Sequence, residues 1–179
     1  MIRSVPTWMP ASAKTSEASA CTGRGLCSSP LRRVNLLKLD PSDWDHGQMR
    51  EGYRWRASSL GRLLGAERIG GSLYDLGDGE RTFPYHFHHG MEEWLLVIEG
   101  TPTLRAQGYE RELRAGDVVC FPPGSEGAHQ VRGPGVVLLL SANRSPEVVE
   151  YVDSGKVAAR PPCKLFRAAD EVDYWEGEG

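Results

Sequence analysis

Cysteine is scarce in this sequence of 179 residues, and its four cysteines are widely scattered. They are Cys21, Cys27, Cys120 and Cys163. None forms a C-x-x-C pair with another, so the sequence indicates neither a disulfide framework nor a cysteine zinc site. So few thiols, without pairing, fit a reducing compartment, and we expect a cytoplasmic protein.

Long apolar runs and a strong net charge are also absent. The longest uninterrupted apolar runs are strand-sized, as at Val136–Leu140, and fall far short of the ~18 residues that would span a bilayer. The formal net charge of -3 is too small to favour nucleic acid or a charged membrane surface as a partner. We therefore expect no nucleic-acid or membrane partner.

The two ends of the chain differ from its middle. The first 30 residues are rich in Ser, Ala and Gly, lack periodic hydrophobicity and contain one acidic residue, Glu17. We interpret residues 1–30 as a disordered tail or a start of translation placed too far upstream, with a transit peptide as the third alternative. A single domain with a substantial core fits residues 34–160, and a C-terminal tail follows at 161–179.

Within the predicted domain, short runs with period-2 or wholly apolar character alternate with turn residues. These runs fall at 53–58, 69–76, 83–88, 93–99, 102–106, 117–121, 128–132 and 136–141. Many short strands at spacings of roughly ten residues are typical of an antiparallel sandwich or barrel. Only residues 58–67 have the pattern of a helical turn, and two glycines weaken it. The predicted fold class is therefore all-β.

Three of the five histidines fall within four residues, just before the strand that contains Glu93. Side chains at i and i+2 of a strand share a face, so His86 and His88 point the same way. A hairpin pairing with the next strand would set Glu93 beside them. A third imidazole, His129, comes from a much later strand.

Imidazole nitrogen and carboxylate oxygen suit a divalent transition metal such as Fe, Mn, Ni, Cu or Zn. Three histidines and one glutamate leave one or two coordination positions for water or substrate, as a catalytic site requires. Without a cation, each of these groups inside a small barrel would cost on the order of a few kcal/mol. The predicted metal ligands are His86, His88, Glu93 and His129. The alternatives are Glu92 in place of Glu93, if the register differs by one residue, and histidines that lie on an exposed face.

Two groups of residues match the motifs of a known family. The first motif, H-x-H-x4-E-x6-G, is matched by His86, His88, Glu93 and Gly100. The second, G-x5-P-x-G followed by a histidine, is matched by Gly116, Pro122, Gly124 and His129. The chain from about Gly70 to Asp153 thus resembles the small single-domain proteins of the cupin superfamily. The resemblance implies a double-stranded β-helix, or jelly-roll barrel, with a mononuclear metal inside one end.

The match departs from the usual motifs at three places. Glu80 stands where the first motif usually has a glycine, and Gly133 stands where an asparagine often follows the second. Two extra residues separate Gly124 from His129. The changes at Glu80 and Gly133 affect turns more than ligands. The insertion precedes His129, which is the only histidine after His89.

The resemblance implies a metalloenzyme that acts on a small oxygenated metabolite with dioxygenase-, decarboxylase- or isomerase-like chemistry. The alternative is a non-catalytic module that binds a metal or a metabolite. No general base stands out, and the weak catalytic candidates are Glu92, Tyr74, Tyr85 and His89. A phosphosugar isomerase would also need a cation for the phosphate, for which Arg105 or Arg132 could serve.

The apolar side chains on one face of a predicted strand indicate self-association. Trp94, Leu96 and Ile98 point away from Glu93, so they pack against the second sheet or against another subunit. The cupins that this chain resembles often dimerise through such faces, and we expect a homodimer.

Overall fold

The computed structural model describes Leu37 and residues 44–179. The tail predicted at 1–30 lies outside the described residues. Two antiparallel sheets dominate the described chain, which confirms the prediction of an all-β jelly roll. Its thirteen described strands are, in chain order, β1 (His46–Arg50), β2 (Tyr53–Ser58), β3 (Ile69–Leu76), β4 (His86–His88), β5 (Glu93–Gly100), β6 (Thr103–Ala106), β7 (Tyr109–Glu112), β8 (Val118–Phe121), β9 (His129–Arg132), β10 (Gly135–Ala142), β11 (Glu147–Tyr151), β12 (Lys156–Arg160) and β13 (Lys164–Arg167).

The helical content of the described chain is small. The helical turn predicted within 58–67 is α1 (Leu60–Leu64), which ends at Gly65 in a left-handed conformation with φ of 67°. Three short 3-10 turns are the remaining helical elements, at Ser125–Gly127, Val152–Ser154 and Ala168–Asp170. No helix in the described part of the chain is long and apolar enough to cross a membrane.

The main core lies between the two sheets. The first sheet has the order β1-β2-β3-β10-β5-β8, and the second has the order β13-β12-β11-β4-β9-β6-β7. Leu95 and Val137 from the first sheet and Val131 from the second have no exposed surface. The apolar interior therefore holds the sheets together, and polar groups that enter it need partners there.

Strand β5 shows why the sequence pattern predicts its orientation. Glu93, Leu95 and Val97 are buried, whereas Trp94 is 45% exposed and Ile98 is 39% exposed. Period-2 alternation therefore directs Glu93 into the interior, as predicted.

The predicted hairpin between the histidine strand and β5 is wrong. Strand β4 pairs with β9 and β11 in the second sheet, whereas β5 pairs with β8 and β10 in the first. Strand β4 also begins at His86 instead of at residue 83. Pro84 accounts for this late start, because proline has no N–H to extend the ladder.

The sequence pattern also missed several strands. No strand was predicted between residues 106 and 117, but Tyr109–Glu112 forms β7. All four residues of β7 are exposed, so the strand has no apolar alternation to reveal it. Strand β13 pairs with β12 and so extends the second sheet beyond residue 160. The domain boundary placed there stays a prediction.

Gly100 ends β5 where the chain passes very close to a neighbouring strand. Its φ is +83°, and a Cβ at this position would lie 2.6 Å from the Gly135 Cα atom. The two glycines are partners in the register of β5 and β10. The motif glycine therefore meets both a backbone and a packing requirement.

We expect Gly100→Ala to lower the free energy of unfolding by about 2–4 kcal/mol, because backbone strain and overpacking add. Gly116→Ala is the matched control. Gly116 also has a positive φ, +91°, but nothing lies within 4 Å of its added Cβ. The control should lose only about 1 kcal/mol. Urea unfolding measures both variants, and equal losses would contradict the close approach at Gly100.

Candidate metal centre

Three histidines meet on the inner face of the second sheet. His86 and His88 occupy alternate positions of β4, and His86 pairs directly with His129 of β9. The ring centroids of His86 and His129 lie 4.8 Å apart, and those of His86 and His88 lie 5.1 Å apart. Strand alternation and cross-strand pairing therefore bring the three rings together.

Glu93 reaches these rings from the opposite sheet. Its Oε2 atom lies 3.1 Å from His129 Nε2 and 3.7 Å from His88 Nε2. Ligand atoms of His86, His88 and Glu93 all lie within 4.8 Å of one another. The four residues are between 3% and 9% exposed. The structure thus gathers all four predicted side chains in the interior, with Glu93 crossing from one sheet to the other.

Each imidazole has an acceptor next to its Nδ1 atom. His86 Nδ1 lies 2.9 Å from the Pro84 carbonyl oxygen, and His129 Nδ1 lies 2.8 Å from the Gly127 carbonyl oxygen. His88 Nδ1 lies 3.3 Å from Glu147 Oε1. The hydrogen bonds at His86 and His129 favour the tautomer that carries its proton on Nδ1, which leaves the Nε2 lone pair for a metal. His88 Nδ1 is close to the Glu147 carboxylate but is not aligned for a hydrogen bond with it.

The two extra residues of the second motif form part of the turn that holds His129. The 3-10 turn Ser125–Gly127 precedes β9, and its last carbonyl accepts from the His129 ring. A Cβ on Gly127 would lie 1.9 Å from the Pro122 carbonyl oxygen, so only glycine fits there. The longer loop therefore directs His129 inward.

Several buried polar atoms at this place lack a hydrogen-bond partner among the described residues. They are His88 Nδ1, Glu93 Oε2 and Glu147 Oε2. Glu93 Oε2 is close to His129 Nε2, but the two atoms are not aligned for a hydrogen bond. A buried acceptor without a partner typically costs about 1–3 kcal/mol, and a cation between the two atoms would remove this cost. The residues present therefore fit a divalent metal.

The protonation states also favour a metal. Burial, together with the charge of neighbouring His129, lowers the pKa of His86 to about 3. Burial likewise lowers the pKa of His88. Burial alone would raise the pKa of Glu93, but the imidazoles around it, first His129, outweigh that effect and lower it. At neutral pH the site therefore presents neutral imidazoles at His86 and His88 and an ionised carboxylate, which are the forms that bind metals.

Comparison with known proteins identifies the domain. The sequence profile of the cupin domain matches residues 72–143, which contain all four side chains of the site. Residues 72–143 therefore form a cupin domain. The chain is 32% identical over 102 residues to a germin-like protein from Ipomoea nil, an alignment that covers 51% of this chain. The chain spans about half, 47%, of the length of that relative.

Solved structures with the same fold include two small proteins. One, from Acidithiobacillus ferrooxidans, is described as a proposed sugar phosphate isomerase; it is 28% identical, with a TM-score of 0.64 over 68% of this chain and 81% of that one. The other is a sugar phosphate isomerase of the cupin superfamily from Silicibacter pomeroyi. It is 21% identical, with a TM-score of 0.65 over 80% of this chain and 100% of that one. The second likeness shows the fold alone.

Three of the four weak catalytic candidates do not face the imidazoles. Glu92 is exposed and accepts a hydrogen bond from the Trp94 indole at 2.6 Å. His89 is also exposed, with its Nε2 2.8 Å from Glu150 Oε1. Tyr85 is buried on the other face of the second sheet, where the Arg105 guanidinium lies 4.0 Å from its ring centroid. These positions place none of the three beside the imidazoles.

Tyr74 is the remaining candidate, and it lies in the main core. Its ring packs edge-on against Trp55 and Phe83, and Phe83 in turn packs against His86. Burial, with a smaller contribution from Glu93, raises the pKa of Tyr74 to about 12. Its hydroxyl therefore stays protonated at neutral pH and suits donation of a hydrogen bond, not proton abstraction.

Aromatic rings flank two of the histidines. Phe121 lies parallel to the His129 ring at a centroid distance of 3.7 Å and an interplanar angle of 7°. Tyr151 lies 6.0 Å from the His86 ring at an angle of 29°. Phe121 is buried in the main core. Sequence reasoning missed Tyr151. The alternation of Glu147, Val149 and Tyr151 along β11 was the signal that could have found it.

Glu147 is a second buried carboxylate that sequence reasoning missed. It is 4% exposed, and its Oε1 atom lies 3.3 Å from both His88 Nδ1 and the Gly90 amide nitrogen. It lies on the Nδ1 side of the ring, away from Glu93. A carboxylate in this position orients a metal-binding imidazole and raises its basicity.

We expect Glu147→Gln to weaken metal binding about tenfold to hundredfold, because the amide has no charge to hold the His88 ring. Competition with a chromophoric chelator measures the affinity. Glu150→Gln is the matched control, since Glu150 lies on the same strand but pairs with exposed His89. Equal affinities for the Glu147→Gln variant and the wild type would rule out this positioning role.

Proposed function

We propose that this protein binds one divalent transition-metal ion and acts as a metal-dependent enzyme on a small oxygenated metabolite. The ligands in this proposal are His86, His88, Glu93 and His129. One observation carries the proposal: the buried Glu93 carboxylate lies between imidazole nitrogens without a hydrogen bond to either. In a buried polar cluster that serves packing alone, the polar atoms are hydrogen-bonded to one another. In a metal site, the ligand atoms stay unpaired until the ion binds.

The donor set supports catalysis more than storage. Three imidazoles and one carboxylate accept Fe, Mn, Ni, Cu or Zn, and they leave one or two positions for substrate oxygens. When bound, such an ion polarises a carbonyl or hydroxyl oxygen as a Lewis acid. The side chains around it exclude water, since all four proposed ligands are less than 10% exposed.

The protein's own proton donors are tyrosines. Tyr74 and Tyr151 both have a pKa raised first by burial, so both hydroxyls remain protonated at neutral pH. Tyr151 packs beside His86, where it can donate a hydrogen bond to a substrate oxygen. The proposed chemistry is dioxygenase-, decarboxylase- or isomerase-like. The similarity to the proposed sugar phosphate isomerase of Acidithiobacillus ferrooxidans favours the last of these.

Two further properties belong to this proposal. We place the protein in the cytoplasm, a location supported by the free thiols of Cys120 and Cys163. We also propose a homodimer that forms through the outer face of the first sheet. Apolar side chains are exposed on that face, namely Trp94, Ile98, Val118 and Leu140.

We expect the purified wild-type protein to contain about one transition-metal ion per chain by elemental analysis, and the His88→Ala variant to contain far less. His89→Ala is the matched control, because His89 is adjacent in sequence but exposed. Metal-dependent turnover that disappears in the His88→Ala variant would support the enzyme. Retained ligand binding without turnover would favour the non-catalytic module instead. Full metal content in the His88→Ala variant would contradict the ligand set.

We expect light scattering to give twice the mass of the chain at micromolar concentration. Trp94→Lys should yield a monomer, because a buried unpaired charge at the interface is unfavourable. Tyr109→Lys is the control, since Tyr109 is an exposed aromatic residue of the second sheet. A monomeric wild-type protein would exclude the dimer.

A further inference from the structure

Arg160 enters the interior from the end of β12. It pairs in register with Glu147, whose carboxylate contacts His88, and alternate residues of β12 share that face. Ala158, two residues earlier, is 1% exposed and faces Val149, which has no exposed surface. These small residues leave room for the long side chain of Arg160 along the inner surface of the sheet.

Among the described residues, no carboxylate forms an ion pair with the guanidinium of Arg160. The residue is half-buried, and its buried Nε atom has no hydrogen-bond partner in the described part of the chain. Arg105 and Arg132, the two arginines considered for phosphate binding, instead form ion pairs with Asp153 and Glu110 on the outer surface. A partly desolvated guanidinium without an anion is unfavourable unless a ligand supplies one.

Arg160 lies close enough to the metal centre to act on the same ligand. Val149 of β11 pairs in register with His88, and this inward face of β11 continues through Glu147 to Arg160 on β12. Burial raises the pKa of Tyr151, and the charge of Arg160 and its hydrogen bond with the Tyr151 hydroxyl offset part of that rise. Tyr151 in turn packs against His86. The guanidinium and this hydroxyl therefore face the region next to the imidazoles.

Charge in the interior also favours an anion. A divalent cation would balance the two buried carboxylates, Glu93 and Glu147, so that the charge of Arg160 stays uncompensated. Lys156 adds a further cation, with its Nζ atom 5.4 Å from the centre of the Tyr151 ring. An oxyanion bound here would complete the charge balance of the site.

We propose that Arg160 and Tyr151 form an oxyanion subsite beside the metal centre, which binds the carboxylate or phosphate group of the substrate. This inference rests on the proposed function and names its substrate class: a small hydroxy or keto compound with an anionic group. The planar guanidinium suits both kinds of oxyanion, because it can donate two parallel hydrogen bonds to either.

Three probes with the same carbon skeleton test the subsite: glycerol phosphate, glycerate and neutral glycerol. Calorimetry measures their binding to the full-length protein, both metal-free and loaded with Zn²⁺. The variants are Arg160→Gln, Arg160→Lys and, as the matched control, Arg132→Gln. Zinc content and thermal unfolding of each variant are measured alongside.

We expect one or both anions to bind at least about tenfold more tightly than glycerol. Arg160→Gln should weaken anion binding about tenfold to hundredfold, the range of a lost charge-assisted hydrogen bond. Arg160→Lys, which keeps the charge and the aliphatic stem, should lose less, and Arg132→Gln should lose nothing. Whichever anion depends more strongly on Arg160 identifies the substrate group as phosphate or carboxylate.

Anion affinities that are the same in the Arg160→Gln variant and the wild type would overturn the inference, as would anions that bind no better than glycerol. An equal loss in Arg132→Gln would overturn it too. The proposed function is tested separately by zinc content. One ion per chain with no role for Arg160 in anion binding would leave the metal centre standing and remove the subsite. Arg160-dependent anion binding in a protein that takes up no metal would leave the subsite standing and remove the metal centre.

Discussion

The Glu93 carboxylate is enclosed by imidazoles in the space between two sheets, and the rest of the site is organised around it. Its Oε2 atom is buried and within 3.1 Å of His129 Nε2, yet it has no hydrogen bond in the described chain. Such an atom is unfavourable in an apolar interior unless a cation lies beside it. The fold is therefore well suited to hold a metal, because the ligands come from both sheets and meet only when the sheets pack.

The surroundings of this carboxylate fix the direction of each ring. Backbone carbonyls of Pro84 and Gly127 lie next to the Nδ1 atoms of two histidines, and Glu147 lies next to the third. Phe121 covers the flat face of His129. Because these contacts come from strands and tight turns, the donor atoms are held in place before any ligand arrives, which is a requirement of an efficient binding site. Arg160 and Tyr151 extend the same polar region along β11 and β12.

Local sequence patterns predicted the part of this site that depends on alternation within one strand. The i, i+2 spacing placed His86 and His88 on one face, and the motif spacing selected Glu93 over Glu92, which the structure places on the outside. The hairpin expected between their strands was wrong, because pairing between sheets depends on the whole topology. Tyr151, Glu147 and Arg160 were missed for the same reason. Their placement next to the histidines arises from the register of β11 and β12 with β4, which lies far from both in sequence.

X-ray absorption fine structure of the Zn²⁺-loaded protein tests most directly whether four side chains converge on one cation. The account predicts nitrogen and oxygen donors at about 2.0–2.2 Å, no sulfur, and outer-shell scattering from three imidazoles. The His129→Ala variant should show two imidazoles. A sulfur ligand in the wild-type spectrum, or the same imidazole count in the wild type and the His129→Ala variant, would contradict the account.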